Sequence, residues 1–165
     1  LTLAGTRTAR GPVSVLGGTL VVSNTVAVSA GTSRIDGTLS LTADNRLTVG
    51  AGAALAGTGT VARVTLADNA VFARSKTDGA VVPLNVSDCV ANGHLTVTLS
   101  GYALTDLLAS LPLLRAPSSS FVKPASVSVT RDGAAAPSVI VRYTENGGAT
   151  VLNVVYNSGT MISIY

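Results

Sequence analysis

Eight carboxylates, one histidine and one cysteine carry most of the reactive chemistry available to these 165 residues. The acids are Asp36, Asp44, Asp68, Asp78, Asp88, Asp106, Asp132 and Glu145. A polysaccharide lyase or glycoside hydrolase needs two or three carboxylates, or a base beside an Arg or Lys, converging on one face, with paired glycosidase carboxyls within about 10 Å. Asp36-Gly37, Asp44-Asn45, Asp68-Asn69, Asp78-Gly79 and Asp132-Gly133 are instead dipeptides of the kind that build corners. There an Asp folds back onto the backbone and Gly or Asn accepts positive φ, so turn chemistry accounts for these acids without a reaction. Two of Asp36, Asp44, Asp68, Asp78 and Asp88 gathered in one groove would mark an enzyme; dispersal over separate corners would mark a scaffold.

The remaining reactive residues point the same way. His94 follows Asn92-Gly93 at the head of a strand, and no Gly-x-Ser-x-Gly elbow is present to supply a nucleophile for it. Cys89 stands alone, with no second Cys for a disulfide and no His run for a metal, and is expected to be a buried inert thiol. Gly57-Thr58-Gly59 lacks a following Lys-Ser/Thr and precedes a strand, which rules it out as a phosphate loop. The acids do not recur at nine-residue intervals, as calcium-binding β-roll repeats require. No catalytic, cofactor-binding or metal-binding residue is assigned, and the chain is expected not to be an enzyme.

Composition narrows the partners. Hydrophobic residues make up 47% of the chain, enough for a core, yet aromatics are only 4% and Trp is absent, so Val, Leu and Ala do the burying beside 17 Gly and abundant Thr and Ser. That mixture suits thin, repetitive β layers with tight corners. The net charge of +3 comes from a shortage of acids; nine of the eleven basic residues are Arg, scattered singly, and no basic face forms for nucleic acid. The longest apolar run, around Leu104 to Leu114, is broken by Pro112 and too short to span a membrane. Thr6/Thr8, Thr58/Thr60 and Thr96/Thr98 are too few and too irregular for an ice-binding face. Glycan binding without catalysis is limited by the lack of aromatic platforms.

The elements that must position these residues are strands. A Gly-Thr-apolar triplet recurs at Gly18-Thr19-Leu20, Gly37-Thr38-Leu39 and Gly59-Thr60-Val61, at spacings of 19 and 22 residues, each opening a short alternating strand. Further short strands are expected at Thr25 to Ser29, Arg46 to Val49, Val64 to Leu66, Ala70 to Ala73 and His94 to Ser100, between Gly, Ala-Asp-Asn and Ser-Ala-Gly corners. A unit of about 20 residues with two or three such strands cannot bury its apolar face alone, but units stacked about 4.8 Å apart share a core and a hydrogen-bond ladder. The expected fold is all-β: a right-handed parallel β-helix, or solenoid, over residues 1–100, with a β-rich C-terminal cap containing one short helix over residues 101–165. An antiparallel sandwich is the competing fold, and the test between them is whether Leu20, Leu39 and Val61 stack as one inward ladder.

The run Leu3-Ala4-Gly5-Thr6 through Gly17-Gly18-Thr19-Leu20-Val21-Val22-Ser23 resembles the autotransporter-associated β-strand repeat of bacterial passenger domains. Leu55-Ala56-Gly57-Thr58-Gly59-Thr60-Val61 with Val64 to Ala73 is similar to that family's closing segment, although Arg74-Ser75-Lys76 stands where its Pro-Gly is expected. The resemblance covers about residues 1–100 and implies a β-helix on a large exported protein held at the cell surface, commonly as an adhesin or spacer. The sequence begins at Leu1 without Met and without a charged n-region followed by an apolar h-region, so a fragment whose export signal lies upstream or has been removed is expected.

Beyond residue 100 the texture changes. Ala103 to Leu111 carries apolar residues at helical intervals and Pro112 stops it. Strands are expected near Phe121 to Thr130, Ser138 to Thr144, Thr150 to Tyr156 and Thr160 to Ile164, with turns at Arg131-Asp132-Gly133 and Asn146-Gly147-Gly148, the second a strong hairpin signal. All four Tyr lie at or after Tyr102, the polar-aromatic surface that protein contacts favour. The implied function is a structural or adhesive fragment of a bacterial surface protein; the alternative is a carbohydrate-active or carbohydrate-binding β-helix. Partners are other protein chains or surface glycans, with no nucleic acid, no cofactor, and end-to-end self-association through open edges.

Overall fold

Strands of three to seven residues with apolar side chains at every second position can bury one face only by pairing with copies of themselves, and the chain does this repeatedly. The computed structural model describes residues 2–3, 9–42, 44–79 and 81–157. In chain order the first strands are β1 (Thr2–Leu3), β2 (Ala9–Arg10), β3 (Ser14–Val15), β4 (Thr19–Val22), β5 (Val26–Val28), β6 (Thr32–Ile35), β7 (Thr38–Leu41), β8 (Leu47–Val49) and β9 (Ala54–Ala56). Longer ones follow: β10 (Thr60–Leu66), β11 (Ala70–Ser75), β12 (Leu84–Ala91), β13 (His94–Ser100), β14 (Leu111–Pro117), β15 (Phe121–Val122), β16 (Ser126–Arg131), β17 (Ala134–Ala135), β18 (Val139–Asn146) and β19 (Ala149–Tyr156).

Three parallel ladders organise β1 to β16. One runs β1-β4-β7-β10-β12-β14, a second β2-β5-β8-β10-β12-β15, and a third β3-β6-β9-β11-β13-β16. The first two merge because β10 is long enough to pair with both β7, through Thr60 and Val61, and β8, through Val64 to Leu66. Each circuit of the chain visits the ladders in the same order, and all pairs among β1 to β13 are parallel. The molecule is all-β with parallel sheets, and no described helix is long and apolar enough to cross a membrane.

The apolar residues stack in register. Leu20 pairs with Leu39, Leu39 with Val61 and Val61 with Val86, as the triplet spacing predicts. Val26, Leu47, Val64 and Cys89 form a second row, and Leu55, Phe72, Val97 and Val129 a third. Leu39, Leu47, Leu55, Val61, Val64 and Val97 are fully buried. Each such burial contributes roughly 1.5–3 kcal/mol, so the core grows by a similar increment with every circuit.

The Gly-Thr part of the triplet has a steric cause. A Cβ on Gly37 would sit 2.6 Å from the Gly18 carbonyl oxygen, and one on Gly59 2.0 Å from that of Gly37. Successive circuits cross at this corner too closely for any side chain. The same carbonyls, of Gly18, Gly37 and Gly59, accept the N–H groups of Thr38, Thr60 and Asn85 at 2.8, 2.8 and 2.9 Å.

Past β10 the circuits widen. In the third ladder Val71 pairs back with Ala54 and forward with Thr96, 17 residues behind and 25 ahead, and Thr96 pairs with Ser128, 32 ahead. The extra length forms segments carrying 3-10 turns at Lys76–Asp78, Leu104–Leu107 and Ser118–Ser120. The helix expected over Ala103 to Leu111 is thus a four-residue 3-10 turn with Leu107 buried, and Leu111 opens β14 instead. Pro112 favours extended backbone at Leu111, which suits a strand. The single strand expected over Phe121 to Thr130 is divided into β15 and β16 around Pro124.

Parallel pairing crosses residue 100 without a break, through β14, β15 and β16. Thereafter it becomes antiparallel: β17 folds back on β16, and β18 and β19 form a hairpin whose β19 pairs with β14. The Asn146-Gly147-Gly148 turn lies where the sequence predicts it, with φ of 58° and 76° at the two glycines. The strand expected over Thr160 to Ile164 lies outside the described residues.

Candidate functional site

The acids behave mainly as staples between circuits. Asp68 accepts the His94 N–H at 2.6 Å, Asp132, itself at φ 49°, accepts the Gly101 N–H at 2.7 Å, and Asp36 accepts the Thr58 N–H at 3.2 Å. Asp88 pairs with Arg46, whose guanidinium also donates to the Val64 carbonyl at 3.2 Å. Asp106 takes the Ala103 N–H and the Lys76 ammonium, each at 2.8 Å, and Lys76 and then Ala103 hold its carboxyl below the usual range. Glu145 is bound by the hydroxyls of Ser118 and Thr150, which lower its pKa. Asp44 is exposed at its corner.

Two of the five acids whose convergence would suit hydrolysis do meet. Arg34 donates through Nε to Asp36 and through Nη1 to Asp78, both at 2.6 Å. Burial works to raise the Asp78 pKa, but the Ser75 N–H and the Arg34 guanidinium outweigh it and leave the carboxyl below its ordinary value. A general acid needs the opposite shift. This pair is chemically a bracket of two carboxylates around one guanidinium, spanning 44 residues between Arg34 and Asp78.

His94 also gains partners that the sequence did not reveal. Its Nδ1 lies 2.8 Å from Ser126 Oγ and its Nε2 2.9 Å from Ser128 Oγ, because β16 runs in register beside β13. Asp68 meets the main-chain N–H of His94 and not its ring. The ring therefore has hydroxyls on both nitrogens and no carboxylate on either, and it belongs to an outward polar row that continues through Thr98 and Thr130, 3.3 Å apart. Cys89 is fully buried, and burial pushes its thiol up to about 12, which keeps it protonated.

Three recesses among the described residues bear on function. One, about 620 Å³, lies between β16 and β18 and is walled by Val127, Val129, Ala136, Val139, Val141 and Tyr143. The Tyr143 hydroxyl is buried without a partner, its ring tilts against Phe121 at 6.0 Å, and the Lys123 ammonium sits 4.9 Å over it. A second recess, about 320 Å³, separates the two long inserted segments, between Val81, Tyr102 and Leu111, with Lys76 and Asp106 at its rim.

The third carries a charged side chain in a lining of mixed polar and apolar groups. About 400 Å³ in volume, it is lined by Thr60, Asn85, Ser87, Arg115, Pro117 and the Gly147-Gly148 turn. Thr60 pairs with Asn85 and Asn85 with Arg115, so one side chain per circuit projects in a row across the first ladder. No side chain among the described residues engages the exposed Arg115 guanidinium. No protein-family model, curated protein or solved structure matches the chain. Sequence reading missed this recess because Thr60, Asn85 and Arg115 share no type and no constant spacing; only the register unites them.

Proposed function

We propose that the chain is a right-handed parallel β-helix that serves as a rigid, adhesive arm of a bacterial protein exported to the cell surface. The observation that carries this reading is the uninterrupted in-register pairing of successive circuits, in which Thr19, Thr38, Thr60, Asn85 and Arg115 occupy one line. A stack whose units contact only their neighbours gains length without gaining new long-range topology, which suits a spacer. The resemblance of residues 1–100 to autotransporter-associated repeats supports the surface location, and pairing of β19 with β14 suits a terminal cap, since it satisfies an otherwise open strand edge.

Removal of one whole circuit tests the arm. Deleting residues 38–59 joins Gly37 to Thr60 at equivalent register positions, so the shortened protein is expected to unfold cooperatively and to lose about 4.8 Å of maximum dimension in small-angle scattering. Deleting residues 38–48, half a circuit, is expected to abolish cooperative unfolding. Equal damage from the two deletions would overturn the reading.

A further inference from the structure

We infer that the recess around Arg115 binds a carboxylate-bearing saccharide chain. This rests on the adhesive reading of the arm and names the ligand class that the arm recognises.

Charge comes first. Arg34, Arg46 and Lys76 are each committed to an aspartate, whereas Arg115 enters its recess uncommitted. Glu145, the acid on the neighbouring hairpin, is held by Ser118 and Thr150. An exposed guanidinium with its planar fork free is matched to a carboxylate, which it grips through two parallel hydrogen bonds.

Beside the apolar Val86, Ala116, Pro117 and Ala149, three neighbours of Arg115 are neutral groups that hydrogen-bond hydroxyls. Thr60 and Ser87 present hydroxyls at the rim, and Asn85, whose amide nitrogen donates to the Pro83 carbonyl at 3.3 Å, keeps its oxygen as an acceptor. Thr60, Asn85 and Arg115 come one per strand, about 4.8 Å apart, so a linear ligand laid across the strands meets them in succession. The glycine turn forms a low wall: beyond the Cα of Gly147 and of Gly148 there is open space where a side chain would otherwise stand. A ligand can therefore approach the main chain there.

The backbone disfavours a peptide. Thr60 is paired with β7 and β12, Asn85 with β10 and β14, and Arg115 with β12 and β19, so along this row both sides of every strand are already occupied. An extended acidic peptide recognised by strand addition would find no main-chain partners along that row. A sugar, recognised through its hydroxyls and its carboxylate, needs none.

The experiment is calorimetric titration of the intact chain with hexagalacturonate, its methyl ester, sialyllactose and hexaglutamate. Binding of a carboxylate-bearing saccharide is expected, with about tenfold or greater weakening in Arg115→Ala, since a hydrogen bond to a charged group contributes that much. Arg115→Lys should fall between the two, and Arg142→Ala, an exposed arginine outside the recess, should match the parent. Preference for hexagalacturonate indicates an internal uronate, and preference for sialyllactose a terminal acidic sugar. Equal binding of the ester, tighter binding of hexaglutamate, unchanged affinity in Arg115→Ala with its thermal midpoint intact, or no binding of either acidic saccharide would each overturn the inference. None of these results bears on circuit deletion, so the arm and its ligand stand or fall separately.

Discussion

The narrow circuits around β4 to β9 and the wide ones after β11 use the same ladders for different ends. In the narrow part nearly every residue is either a strand position, buried and outward by turns, or a corner, and the corners are so close that glycine is compulsory at Gly37 and Gly59. In the wide part the register of the ladders persists while the loops between them lengthen, and the added segments carry Lys76, Tyr102 and Asp106 together with exposed Val81 and Leu108. A rigid ladder tolerates long insertions at its corners, because the inserted residues need only return the chain to register. Both regions share one core, and surface variety is concentrated in the wide one.

Glycine substitution should separate the two most sharply. Gly59→Ala places a Cβ 2.0 Å from a backbone oxygen that has no room to retreat, and a loss of about 3 kcal/mol is expected from the urea midpoint and slope. Gly79→Ala meets no atom but strains a backbone at φ 81° and ψ −69°, so a smaller loss of about 2 kcal/mol is expected. Equal losses would erase the distinction between the regions.

Next in size is Arg34→Ala, which strands Asp78, a side chain only 4% exposed, without its partner. About 2 kcal/mol should be lost near neutral pH, less than for a wholly buried pair because Arg34 itself is partly solvated. The Asp78 pKa is lowered on folding, so its stabilisation is present above the unfolded value of about 3.9 and fades as the pH falls through the folded value. Denaturation of parent and variant at several pH values should therefore converge below about pH 4; a gap that persists in acid would mean that the guanidinium acts by packing alone.

The smallest global effect belongs to Lys76→Ala, which frees Asp106 and loosens the contact between the two inserted segments. The unfolding midpoint should stay where it is while limited proteolysis within residues 76–83 or 101–110 accelerates. A shifted midpoint with unchanged cleavage would place these segments in the cooperative core instead.

Much of the narrow region was legible in the sequence because its signal is local: Gly, Thr and an apolar residue recur at nearly constant distance, and the Leu20-Leu39-Val61 row follows. The wide region concealed its pairings, since 25 and 32 residues separate the partners of Thr96 and no periodicity survives such insertions. For that reason Ser126 and Ser128 could not be placed on His94, nor Asp78 on Arg34. The helical spacing of Ala103 to Leu111 misled because Leu107 fills the core from a single 3-10 turn while Pro112 draws its neighbours into a strand.

The ion pairs of Arg34 with Asp78 and of Arg46 with Asp88 each reach past one circuit to the next but one. Under tension, such overlapping clasps make neighbours share a load. Freeing a single circuit from the N-terminal side leaves its successor still latched to a later one, so the molecule resists fraying as a laced seam does, yielding in stretches and not stitch by stitch.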